Sequence, residues 1–146
     1  MFRFPCGKLA TSMPGGKIMV IDDDPSLLRL TCKYLTRLGY LVTAYRSSDE
    51  AWSQFNSSAS NWALVVIDAS LPGLSGVQLS GMMLNANPSV CVVLTSGYPF
   101  DSQKLLELSP ERTAFLHKPF TPVMLAETVD RLMGAAPAPM QSDDAD

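Results

Sequence analysis

Long apolar runs are missing from this 146-residue chain. No stretch approaches the ~18 apolar residues needed to span a bilayer, so membrane insertion is not expected. The opening Met1-Phe2-Arg3-Phe4-Pro5-Cys6-Gly7 lacks the apolar stretch of a secretory signal. Cysteine is scarce. Cys6, Cys32 and Cys91 are odd in number and match no metal-binding spacing. That argues against a disulfide framework and for a reducing compartment, so a cytoplasmic location is expected. Histidine is scarcer: His117 stands alone, and one histidine makes neither a nucleophilic triad nor a zinc site. Excess charge is small. Eleven basic and fourteen acidic residues leave a net −3, which disfavours direct nucleic-acid binding through phosphate neutralisation.

What is present suits one folded domain. The chain is 47% hydrophobic and 17% charged, a balance found in globular proteins of this length. Residues 1–16 end in Met13-Pro14-Gly15-Gly16 and show no periodicity, so they read as a flexible leader. Residues 135–146 are rich in Ala and Pro and contain Asp143, Asp144 and Asp146. They read as a disordered acidic tail. The domain is expected over 17–134.

Within it, two patterns alternate. Short apolar runs cover 17–21, 40–44, 62–67, 90–94 and 113–117. They are rich in β-branched residues and nearly continuous in apolarity, as strands buried on both faces are. Helical patterns lie between and after them. Asp24-Pro25 is a cap followed by proline, ahead of Leu27, Leu28, Leu30, Tyr34, Leu35 and Leu38, with Gly39 as the stop. Ser47 to Glu50 has capping-box spacing ahead of Ala51, Trp52 and Phe55. Further helices are expected over 75–86, 101–108 and from Thr121-Pro122 onward. Strand then helix, five times over, implies an α/β fold with a doubly wound parallel sheet.

In such a sheet, ligands bind at the carboxyl ends of the strands. Those ends carry Asp22, Asp23 and Asp24; Asp68; Thr95 and Ser96; and His117 and Lys118. Asp24 suits an N-cap, because Pro25 follows it. Asp22 and Asp23 are adjacent carboxylates that repel unless a cation offsets them. They suit an oxygen-rich site for Mg²⁺. Asp68 ends the strongest apolar run, and a carboxylate there can act as a nucleophile toward phosphorus. Lys118 would be the counter-charge. Residues 17–134 hold eleven acids against nine bases, and setting aside Asp22, Asp23, Asp24 and Asp68 leaves the remainder at +2. The acidity is therefore concentrated at one rim.

Four segments together resemble the receiver domain of two-component response regulators, the CheY-like family. They are Val20-Ile21-Asp22-Asp23-Asp24-Pro25, Ile67 to Gly76, Leu94-Thr95-Ser96-Gly97-Tyr98, and Phe115-Leu116-His117-Lys118-Pro119-Phe120. The resemblance covers about 17–134. It implies a flavodoxin-like sheet of five parallel strands in the order 2-1-3-4-5 with five helices. It also implies roles. Asp68 accepts a phosphoryl group. Asp22, Asp23, Asp68 and the Ser70 carbonyl hold Mg²⁺, and Thr95 and Lys118 contact the phosphoryl oxygens. Thr95 and Phe115 form a switch, and the peptide before Pro119 is cis. Two positions depart from the usual pattern: Ser70 is small and polar, and Gly97 offers no side chain to screen water.

The implied function is that of a phosphoacceptor in a phosphorelay, not an enzyme. The donor partner would be a sensor histidine kinase or a histidine phosphotransfer protein. No second core or recognition helix is visible, so output through contact with a downstream protein is expected. The alternative is a Mg²⁺-dependent phosphohydrolase with an aspartyl nucleophile. Such enzymes generally place a second acid where Ser70 stands, which counts against it. A nucleotide- or flavin-binding module is weaker still, because the first turn is acidic and lacks a glycine-rich cradle.

Overall fold

The apolar runs 17–21, 62–67 and 90–94 are covered on both faces, and this is what makes them strands without a polar side. The computed structural model describes residues 17–97 and 110–134. Its strands are β1 (Lys17–Ile21), β2 (Leu41–Tyr45), β3 (Trp62–Asp68), β4 (Cys91–Ser96) and β5 (Thr113–His117). All neighbours pair in parallel, in the order β2-β1-β3-β4-β5. Among the described residues the α-helices are α1 (Pro25–Arg37), α2 (Ser48–Ser57), α3 (Gly76–Ala86) and α4 (Pro122–Gly134). A single 3₁₀ turn, Ala59–Asn61, precedes β3. This is the expected doubly wound sheet. The helix expected over 101–108, the leader and the tail lie outside the described residues.

The central strand shows how the layers form. Leu64 and Val66 of β3 enter a cluster with Leu28 and Leu35 of α1 and Leu125 and Val129 of α4. Val65 and Ile67 point the other way, into a cluster with Ala51 and Phe55 of α2 and Leu79 and Met83 of α3. Alternation along a strand thus feeds two cores. Burying each such side chain contributes about 1.5–3 kcal/mol. β2 is an edge strand, and its first residue, Leu41, stays exposed.

Local chemistry sets the helix ends. Asp24 accepts the backbone N–H groups of Ser26 and Leu27 at 3.0 and 3.3 Å, and Pro25 follows without a donor to lose. After α1, Gly39 adopts a φ of 100°, a left-handed turn that glycine takes at low cost. Ser47 accepts the Glu50 N–H at 3.3 Å, one half of a capping box. The full reciprocal box forms at α3 instead. There Ser75 Oγ accepts from the Gln78 N–H at 3.2 Å, and Gln78 Oε1 accepts from the Ser75 N–H at 3.1 Å.

Three strands differ from expectation in their limits: β2 covers Leu41–Tyr45 instead of 40–44, β3 runs on to Asp68, and β4 covers Cys91–Ser96 instead of 90–94. The extensions of β3 and β4 have a cause in register. Asp68 pairs with Thr95, and Ser96 pairs with His117, so the ladder continues to the carboxyl rim.

Candidate functional site

The parallel register gathers the polar strand ends at one edge. Ile21 pairs with Ile67, which sets Asp22 beside Asp68. Asp68 pairs with Thr95. Lys118 follows β5 and donates its backbone N–H to the Ser96 carbonyl at 2.8 Å. Asp22, Asp68 and Thr95 are all buried, while Asp23 is exposed.

Asp22 is held from three directions. Its N–H donates to the Tyr45 carbonyl at 3.2 Å. Its Oδ1 accepts the Asp24 N–H at 2.9 Å, and its Oδ2 accepts from Lys118 Nζ at 3.0 Å. The same ammonium stands 3.3 Å from Asp68 Oδ2. Asp68 Oδ1 accepts both the N–H and the hydroxyl of Ser70, each at 3.0 Å. One carboxylate oxygen of Asp68 therefore faces Lys118, and the other is pinned by Ser70.

Carboxylate oxygens of Asp22, Asp23 and Asp68 lie within 4.8 Å of one another. Among the described residues Lys118 is the one ammonium paired with this cluster of three carboxylates, through Asp22 and Asp68, so anionic charge is in excess. Hard oxygen donors at this spacing suit a divalent cation. Burial pushes the Asp22 carboxyl above its ordinary pKa, and the nearby Asp68 charge adds to that. The Asp24 amide and Lys118 act against it without cancelling it. For Lys118, burial works against the charge. The hydrogen bond and charge of Asp22, with those of Asp68, outweigh it and hold the ammonium above its ordinary pKa.

Three features frame the cluster. The Lys118–Pro119 peptide is cis, as the resemblance implies. Gly76, the first residue of α3, donates its N–H to the Ala69 carbonyl at 3.0 Å. A Cβ on Gly76 would stand 2.7 Å from the Ala69 Cα and nearer still to the Asp68 carbonyl oxygen. α3 thus starts in backbone contact with the strand end that carries Asp68. Phe115 pairs with Leu94, one step back from the rim. It is half-buried against the α2/α3 core and lies edge-on to His117, with ring centroids 4.4 Å apart.

Asp22, Asp23, Asp68 and Lys118 are therefore brought together, with Thr95 adjacent in register. Asp24 caps α1, and His117 is exposed. Reading the residues alone did not anticipate the Ser70 hydroxyl on Asp68 or the close approach of Gly76. The two-residue spacing of an Asp and a Ser in a turn was the available signal for the first. Ser75 capping a helix that begins with glycine was the signal for the second.

Comparison with known proteins agrees with this geometry. A family model described as the response regulator receiver domain matches residues 18–130. Among curated relatives, the response regulator GtcR of Aneurinibacillus migulanus is 29% identical over 106 residues, covering 73% of this chain and 43% of that protein. Chemotaxis protein CheY1 of Helicobacter pylori is 26% identical over 124 residues, covering 81% of this chain and 97% of that protein. The chain spans half or less of the length of GtcR and of several other relatives. Among solved structures, a CheY-like receiver domain protein from Methanospirillum hungatei superposes with a TM-score of 0.74 at 22% identity. It covers 83% of this chain and 95% of that one. Response regulator TrrA from Thermotoga maritima, solved in complex with Mg(2+)-BeF, superposes with a TM-score of 0.70 at 26% identity. It covers 80% of this chain and 98% of that one.

Proposed function

The chain belongs to the response regulator receiver family, and from that premise we propose that Asp68 takes a phosphoryl group from the phosphohistidine of a kinase or phosphotransfer protein. Receiver domains are signalling phosphoacceptors, and response regulators interact with histidine kinases and downstream targets. The observation that carries the reading is the buried Asp68 carboxylate with Lys118 Nζ 3.3 Å from its Oδ2, beside two further acids.

The proposed step is a displacement at phosphorus. A carboxylate oxygen of Asp68 forms the new P–O bond. The P–N bond to the donor histidine breaks, and the leaving imidazole nitrogen takes a proton from solvent. Such transfer rests on positioning and charge compensation. Ser70 fixes Asp68 Oδ1 through two donors, and Lys118 supplies positive charge at the other oxygen. The side chains of Asp22, Asp23 and Asp68 with the Ser70 carbonyl would hold Mg²⁺, which offsets charge on the transferring group when bound. The TrrA complex supports that choice of ion.

The phosphorylated state then has to satisfy about −1.5 to −2 of new charge. The Thr95 hydroxyl moves toward the phosphoryl oxygens, and Phe115 turns into the space vacated. Phosphorylation thereby changes the surface around β5 that a downstream protein reads. Ser70 supplies a hydroxyl where an aspartyl phosphohydrolase needs a second acid, so turnover of phosphate esters is not part of this reading. Among the described residues no helix is long and apolar enough to cross a membrane. Incubation with Mg²⁺ and a small acyl phosphate should add one phosphoryl group by intact mass. No gain, or a gain that survives Asp68→Asn, overturns the proposal.

A further inference from the structure

Helix α1 carries Arg29, Lys33 and Arg37 and no acid. The three recur every fourth residue and all are exposed. At that spacing they share one face, where like charges repel by roughly 0.2–0.5 kcal/mol per pair. Among the described residues none of them makes an ion pair, although neighbouring α4 carries Glu127 and Asp130. Leu30, 42% exposed, turns to the same outer side. The inner side is filled by Leu28, Thr31, Cys32 and Leu35. An acidic segment lying across this face would relieve the repulsion and cover the leucine.

The chain carries such a segment beyond α4. Residues 143–146 read Asp-Asp-Ala-Asp. α4 lies beside α1, with Leu132 and Leu35 in one core cluster. Both helices end at the rim where strands begin. α1 leads through Gly39 and Tyr40 into β2, and the Leu132 carbonyl is 3.8 Å from the Cys91 thiol at the start of β4. Eight residues lie between Gly134 and Asp143, and the nine steps from one to the other reach about 30 Å when extended. Neighbouring helices stand about 8–10 Å apart, and Arg29 to Arg37 spans about 12 Å along the axis. Exposed Arg131, in the last turn of α4, adds a cation on the way.

We propose that residues 143–146 dock on the cationic face of α1, setting Asp143, Asp144 and Asp146 against Arg29, Lys33 and Arg37. The contact is intramolecular and salt-sensitive. It competes with any acidic protein partner for α1, and so ties access to that helix to ionic conditions and to rivals for the face. It does not depend on the phosphoacceptor reading of Asp68.

The test uses the full chain with Cys6→Ser and Ser142→Cys, and a nitroxide on the new thiol. Cys32 and Cys91 are buried and stay unlabelled. Amide NMR intensities are compared before and after the nitroxide is reduced. The expected result is strong broadening of Arg29 to Arg37 at about 0.02 M NaCl that is lost at about 0.5 M, as the screening length falls from roughly 20 Å to roughly 4 Å. Asp143→Asn with Asp144→Asn and Asp146→Asn should remove it, as should Arg29→Glu with Lys33→Glu. Arg46→Glu, exposed but off α1, should leave it. Four results overturn the proposal: no broadening on α1, broadening mainly on another face, broadening that survives neutralisation of the acids, or broadening only between separate molecules in a mixed sample.

Discussion

Replacing Lys118 with methionine keeps most of the aliphatic stem and removes the ammonium. The structure places that ammonium 3.0 Å from Asp22 and 3.3 Å from Asp68. With an effective dielectric of about 20, each attraction is about 5 kcal/mol before solvation is counted. Taking these charges out of water cancels most of that. A hydrogen bond to a charged group retains about 1.5–3 kcal/mol. The Lys118 side chain is 20% exposed, which favours the lower end. The expected loss in EDTA is therefore about 2 kcal/mol, or roughly 6–10 °C in Tm for a domain of this size. Saturating Mg²⁺ should shrink the loss below about 1 kcal/mol, because a cation among the carboxylates takes over the compensation and no longer competes with the lysine. Urea denaturation of both proteins, each with EDTA and with Mg²⁺, measures all four stabilities. An equal loss in both conditions, or none in EDTA, would refute the reasoning.

Other outcomes follow from single observations. Gly76→Ala should destabilise by about 1–3 kcal/mol, since its methyl group would collide with the backbone of Asp68 and Ala69; a denaturation midpoint equal to wild type would contradict this. Burial pushes the Cys32 thiol up to about 12 and also raises Cys91, against the opposing effect of Arg112. Both should resist iodoacetamide in the folded protein, read by peptide mapping, and react once urea is added. Burial raises the Asp22 carboxyl, so the folded state binds a proton more readily than the unfolded chain. Its contribution favours the fold at acid pH and is lost as pH rises from the ordinary carboxylate value through the raised one. In EDTA, the stability of wild type minus that of Asp22→Asn should fall across that window, and a flat difference would contradict the burial argument.

Most of the fold was legible because two-sided burial leaves a plain mark. The run from Trp62 to Ile67 has almost nothing polar in it, and β3 is buried along nearly its whole length. Asp24 was legible as a cap because proline at the next position has few other uses. Strand limits were less so. That β4 reaches Ser96 follows from pairing with β3 and β5, which only the assembled sheet supplies. The same holds at the rim. Asp22, Asp23, Asp68 and Lys118 stood out as polar residues ending apolar runs. Which oxygen faces Lys118 and which faces Ser70 depends on side-chain placement that no spacing encodes. Gly76 was marked only by its place after a capping serine, and its close approach to Asp68 and Ala69 appears once α3 closes onto the end of β3. The two serine caps had similar spacing, yet the full reciprocal box formed at Ser75 and Gln78.

The phosphoacceptor role of Asp68 can be read directly by locating the transferred group. The protein is treated with a small acyl phosphate in Mg²⁺ or in EDTA, digested at low pH, and mapped by mass spectrometry. One phosphoryl group on the peptide containing Asp68, present with Mg²⁺ and lost in EDTA, is the expected result. A phosphoryl group on any other residue, or labelling of Asp68 that is indifferent to EDTA, would contradict it.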